Sequence, residues 1–134
     1  MSQENVEIVR RSMESYADQD LDAVLADAVP EVEFDWSNSP APDRGVYIGH
    51  AAVRAFLEAR DEALEERRLE RVNVVPGASE TVVYTALMRE RGRASGAEVT
   101  TRIALVYKLR EGKIIHLAVY QTSDEALKAV GLEE

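Results

Sequence analysis

The sequence predicts an α+β domain in which three N-terminal helices pack on a curved sheet, antiparallel or mixed, with a short C-terminal helix. Three observations predict it. Apolar residues recur at helical spacing through most of the first half and at every second position in the second half. Strand-like segments then follow one another with only short turns between them, which favours an antiparallel arrangement over a parallel doubly wound one. The segment 97–110 alternates throughout, with Val99, Thr101, Ile103, Leu105, Tyr107 and Leu109 set against Glu98, Thr100, Arg102, Lys108 and Arg110.

The elements follow in order. Val6, Val9, Met13 and Tyr16 mark an amphipathic helix over 3–17, with Ser2 as its N-cap. Asp20 caps a shorter helix with Leu21, Val24, Leu25 and Ala28 inside, and Pro30 stops it. Val32, Phe34 and Trp36 alternate with Glu33 and Asp35 as a short strand. Residues 37–45 are rich in Ser, Pro, Asn and Gly and read as a loop; such loops serve as lids or as plain connections, and whether 37–48 forms a lid stays open. A third helix from His50 to about Arg67 buries Val53, Phe56, Leu57 and Leu64, with Arg60 on or beside the same stripe. Strands follow at 69–75, 81–91, 97–110 and 113–121. Their turns are Pro76-Gly77, Gly92–Gly96 and Glu111-Gly112, and Ser123 opens a last helix that Gly131 ends.

The 134 residues suit one domain spanning 1–134, and 46% hydrophobic residues suffice for a core. With 25 acidic and 16 basic residues the charge is −9, which repels nucleic acid and anionic membrane surfaces. Without cysteine there is no disulfide or thiolate chemistry, and two histidines in no ligand motif predict no metal site. The N-terminus has no basic and apolar signal pattern, and no stretch is long enough to span a membrane, so a cytoplasmic protein is expected.

Several strings resemble the SnoaL-like branch of the NTF2-like superfamily. They are Glu4-Asn5-Val6, Asp20-Leu21-Asp22-Ala23, Val32-Glu33-Phe34-Asp35-Trp36, Tyr47-Ile48-Gly49-His50 with Val53, Arg54 and Phe56, and Glu111-Gly112-Lys113-Ile114. The resemblance covers essentially the whole chain. It implies a cone whose concave sheet face and helices enclose a pocket, and a homodimer through the outer sheet face. Relatives of this fold include isomerases, cyclases, dehydratases, epoxide hydrolases and binding domains, so fold alone does not assign an activity.

Given that architecture, strand parity together with the inner faces of the helices selects the pocket: Met13, Tyr16, Phe34, Trp36, Phe56, Arg60, Tyr84, Met88, Tyr107, Leu117, Val119 and Gln121. Arg60 either clamps a ligand carboxylate, pairs with an internal acid, or lies at the edge with its head in water. Tyr16, Tyr84 and Tyr107 either donate to a ligand carbonyl or reach a neighbouring group. No carboxylate or imidazole joins the list unless Asp35, Glu90 or His116 turns inward. Ketosteroid isomerases, related by fold, use a carboxylate base with a Tyr and a protonated Asp. The matching positions here look like Trp36, Ser12 and Leu105, which argues against that reaction.

Asp35 and His116 are the catalytic candidates. Asp35 requires a one-residue bulge to face inward, His116 faces outward by parity, and His50 reads as a capping or exposed residue. The expected function is a binding domain for a small, moderately hydrophobic molecule, with no cofactor. The alternatives are an isomerase, cyclase or dehydratase using Asp35 or His116 with a pocket tyrosine, and a ligand-free dimerisation module.

Overall fold

The structure, a computed structural model, describes residues 2–132. Its elements are α1 (Ser2–Ala17), α2 (Leu21–Ala26), β1 (Ala28–Asp35), β2 (Val46–Ile48), α3 (His50–Glu62), β3 (Leu64–Pro76), β4 (Thr81–Gly92), β5 (Glu98–Arg110), β6 (Lys113–Tyr120) and α4 (Ser123–Ala129). Six strands form one sheet in the order β2-β1-β6-β5-β4-β3. Only the β1–β6 pair is parallel, so the sheet is mixed. No described helix is long and apolar enough to cross a membrane.

Alternation along the strands divides the apolar residues between two layers. Val82, Tyr84, Ala86 and Met88 of β4, with Leu105 and Tyr107 of β5, join Val9, Met13, Val53 and Leu57 in the main core. The opposite parity, Val83, Ala104 and Val106, meets Ala126 and Val130 on the outer face, where α4 docks. Local signals set the ends. Asp20 accepts from the Ala23 amide at 3.2 Å and caps α2; Thr122 caps α4 by accepting from the Glu125 amide. Glu111 and Gly112 both have positive φ, at 51° and 77°, the geometry a tight hairpin between twisted strands requires.

Several expectations are corrected. The cap expected at Ser2 lies outside the described side chains. The third helix starts at His50 as expected but ends at Glu62, not near Arg67. Leu64 to Leu69 belong to β3, which starts five residues before the expected strand because it pairs with β4 as far as Gly92. Strand β1 begins at Ala28, so Pro30 lies within it. It falls where pairing to β6 shifts register between Ala28 and Glu33, a place where the missing N–H breaks no ladder bond. The turn-rich stretch is followed by a short strand, β2, which pairs with Glu33–Asp35.

Candidate functional site: the cavity between helices and sheet

A cavity of about 470 Å³ lies between the helices and the inner sheet face. Ten of the expected residues line it: Met13, Tyr16, Phe34, Trp36, Arg60, Met88, Tyr107, Leu117, Val119 and Gln121. Phe56 and Tyr84 do not. Phe56 stacks on Tyr47 at 4.2 Å between centroids and meets Trp36 edge-on at 5.1 Å, so it supports the wall from behind. Tyr84 is 1% exposed and belongs to the packed core. The three positions compared with isomerase catalytic groups, Ser12, Trp36 and Leu105, all line the cavity.

The loop between β1 and β2 forms one wall through Ser39, Pro40 and Ala41. It is fastened at several points. The Trp36 amide donates to the Gly45 carbonyl at 2.7 Å and the Ser39 amide to the Trp36 carbonyl at 3.1 Å. Gln121 Nε2 donates to the Asn38 carbonyl, and the Tyr47 hydroxyl to the Asp43 carbonyl. Arg60 Nη1 reaches the Asp43 carboxylate at 2.5 Å, while its Nε donates to the Tyr16 hydroxyl at 3.3 Å. Burial works to lower the Arg60 pKa, but Tyr16 and Asp43 outweigh it and raise it, so the guanidinium stays charged. Of the roles left open for Arg60, the structure has the pairing with an internal acid.

Of a second ionic group the sequence reading has only Glu90, named as a residue that would have to turn inward; Asp61 and Arg67 escape it because they look like the end of a helix. Arg67 has a fully buried side chain and pairs with Asp61 and Glu90, each at 2.8 Å. It also donates to the Tyr16 carbonyl and lies 3.9 Å from the centre of the Tyr16 ring. Glu90 lines the cavity. A signal for it exists: the even parity of β4, carried two residues past Met88, puts Glu90 inside, opposite Arg67.

Tyr107 lines the cavity. Burial, reinforced by Tyr84 and Tyr16, pushes its pKa well up, so it remains a neutral phenol able to donate.

Asp35 and His116 are not in this cavity. Glu33, Phe34 and Asp35 pair in unbroken register with His116, Leu117 and Ala118. No bulge therefore swings Asp35 inward; the shift lies upstream, before Glu33. Phe34 and Leu117 line the cavity while Asp35 and His116 occupy the opposite face. Asp35 Oδ1 accepts from the Ser37 hydroxyl at 2.6 Å and the Ser37 amide at 3.0 Å, which lowers its pKa, the hydroxyl first. His50 opens α3, with Nε2 at 3.1 Å from the Ala28 carbonyl oxygen.

The sequence of residues 9–117 matches the family model for the SnoaL-like domain. The chain belongs to that family. Solved structures agree with this SnoaL-like fold over nearly the whole length. A candidate polyketide cyclase from Xanthomonas campestris pv. campestris is 19% identical with a TM-score of 0.78, covering 97% of this chain and 98% of that one. An NTF2-like protein of unknown function from Burkholderia pseudomallei is 24% identical with a TM-score of 0.74, covering 96% and 98%. TerC, co-crystallised with polyporic acid, is 20% identical with a TM-score of 0.74, covering 95% and 97%. At these identities the likeness concerns the fold. No curated protein matches the SnoaL-like sequence.

Proposed function

We propose that the chain is a SnoaL-like binding domain that holds one small, moderately hydrophobic molecule in the cavity, acting as a cytoplasmic homodimer. The observation that carries this reading is the cavity itself. Its volume falls in the range of small-molecule sites, roughly 300–1,000 Å³. Its wall is mainly aliphatic and aromatic, with the neutral Tyr107 phenol as a hydrogen-bonding group. Of the three ionic residues beside it, Arg60 and Glu90 are each held in an ion pair, and the exposed Arg102 forms none among the described residues. That TerC, with the same fold, was crystallised with polyporic acid supports a ligand in such a fold.

The enzyme reading required Asp35 or His116 beside a cavity tyrosine, and their position on the outer face counts against it. An open cavity counts against a ligand-free module. The homodimer rests on the family fold and on the exposed apolar Val46 and Ile48 at the outer face. Light scattering at twice the chain mass checks it.

Trp36 is the single tryptophan and lines the cavity, so its fluorescence reports occupancy. Titration with a panel of apolar aromatic and carbonyl compounds is expected to find saturable binding at one molecule per chain. Val119→Phe, which fills the cavity, is expected to abolish it while the circular dichroism spectrum stays unchanged. A panel without a saturable binder, or binding that survives Val119→Phe, would overturn the reading.

A further inference from the structure

The outer sheet face carries a cluster that the cavity does not use. Because β1 and β6 run parallel with Glu33 opposite His116, alternation directs Glu33, Asp35 and His116 to the same side of the sheet. All three are half-buried, and one donor atom from each lies within 4.8 Å of the other two. His116 Nε2 is 3.5 Å from Glu33 Oε2. A tetrahedral ion bound at about 2.0–2.1 Å by nitrogen and oxygen sets its donors roughly 3.3 Å apart. The Glu33–His116 edge is therefore close to the spacing that such an ion demands, and the donor atom of Asp35 lies within 4.8 Å of both.

Two further features suit a cation. Ser37 holds one oxygen of Asp35 through its amide and hydroxyl, which orients the carboxylate and leaves the other oxygen for a ligand; metal-binding carboxylates are commonly oriented in this way. Neither Glu33 nor Asp35 forms an ion pair with Lys or Arg among the described residues, although arginines elsewhere on the sheet are paired with acids. Lys108, the register neighbour of His116 on β5, is exposed and makes no such pair. Two carboxylates thus share a half-buried patch with an imidazole, and their one charged partner within ion-pair distance among the described residues is His116 itself, 3.5 Å from Glu33.

We propose that Glu33, Asp35 and His116 form a surface site for a divalent first-row transition ion of the zinc class, with water completing the coordination. The imidazole selects for this class over calcium and magnesium, which take oxygen donors. The site is separate from the cavity, so its occupancy neither requires nor blocks a ligand there; it lies beside Ile48 and Val46, the register partners of Glu33 and Asp35, and so at the edge of the surface proposed for the homodimer.

Calorimetric titration of the tag-free full chain with zinc chloride, in a buffer that does not bind metals, tests this. The background is low, since the chain has no cysteine and one other histidine, His50. One ion per chain is expected. Glu33→Gln and His116→Ala should each weaken binding by about tenfold or more, as loss of one of three protein ligands implies. His50→Ala should leave it unchanged, and millimolar magnesium should not compete. A second measurement avoids variants altogether: in the amide NMR spectrum of the unmodified chain, copper(II) should broaden signals around residues 33–35 and 116. Absence of saturable binding, binding indifferent to His116→Ala, or broadening centred elsewhere would each overturn the proposal.

Discussion

Arg60 of α3 and Asp43 of the β1–β2 loop meet at 2.5 Å, tying a cavity wall to the helix behind it. The pair is one-third exposed or less at both ends, and Arg60 is also held by Tyr16 and lies near the rings of Trp36 and Phe56. A hydrogen bond to a charged group in such a setting contributes on the order of 1.5–3 kcal/mol. Asp43→Ala is expected to loosen the loop without unfolding the sheet. Hydrogen exchange should show the Trp36, Ser39 and Arg44 amides losing about tenfold or more in protection. The amides of β4 and β5 should keep theirs. Equal loss everywhere would mean that the pair supports global stability instead.

Arg67 carries more of the fold. Its side chain is fully buried, and the carboxylates it serves, Asp61 and Glu90, are 13% and 16% exposed. Removing the cation strands both acids in a poorly solvated place, so Arg67→Met is expected to cost about 3–5 kcal/mol in urea denaturation. Replacing all three partners together, Arg67→Met with Asp61→Asn and Glu90→Gln, should recover much of that loss. If the triple variant is no better than the single one, Arg67 stabilises the fold mainly by packing on the Tyr16 ring rather than by pairing with the two acids.

These three ion pairs also show how far the sequence can be read. Alternation in β5 and the paired turn residues Glu111 and Gly112 make the sheet legible, because a two-residue period with one face buried admits a single register. The lining follows from the same parity, and ten of its expected members are there. The stretch from Leu64 to Leu69 is where the reading fails. Its Glu and Arg residues have high helix propensity and continue the charged face of α3. Pairing with β4 overrides that preference, and Glu65 and Glu66 meet Arg91 across the strands. Arg67 consequently looks like a solvated helix residue. The Asp43–Arg60 contact is beyond reach for another reason: no periodicity specifies which loop residue returns to a helix seventeen positions later.

Gly77 is held to its identity by crowding rather than by backbone angle. A Cβ there would lie 2.5 Å from Thr81 Oγ1 and 2.8 Å from Val130 Cβ and Cγ2. Gly77→Ala is therefore expected to push α4 from the outer face, at a cost of about 1–3 kcal/mol. Gly96 offers the contrast, with open space around it and φ of +69°. Gly96→Ala should lower stability by about 1–2 kcal/mol through backbone strain alone. Methyl NMR shifts of Ala126 and Val130 should move in the first variant and stay fixed in the second.

Alkaline pH should destabilise the chain through its buried phenols. Burial raises the Tyr84 pKa to about 12 from the ordinary 10.0, with the charge of Glu14 adding to the effect and Arg10 opposing it. Tyr107 is pushed up in the same direction. A phenol whose folded pKa is raised contributes stability fully below the unfolded value. The loss begins as pH passes that value, because the unfolded chain can release the proton while the folded one retains it. For Tyr84 the window runs from about 10 to about 12, and two pH units at about 1.4 kcal/mol each amount to roughly 2–3 kcal/mol. Urea midpoints measured between about pH 8 and pH 11 should fall more steeply for the unmodified chain than for Tyr84→Phe. Every other titrating group is common to both, so the difference between the curves isolates this hydroxyl. Parallel curves would mean that Tyr84 ionises as readily in the folded chain as in the unfolded one, and that the inner sheet face is wetter than its packing implies.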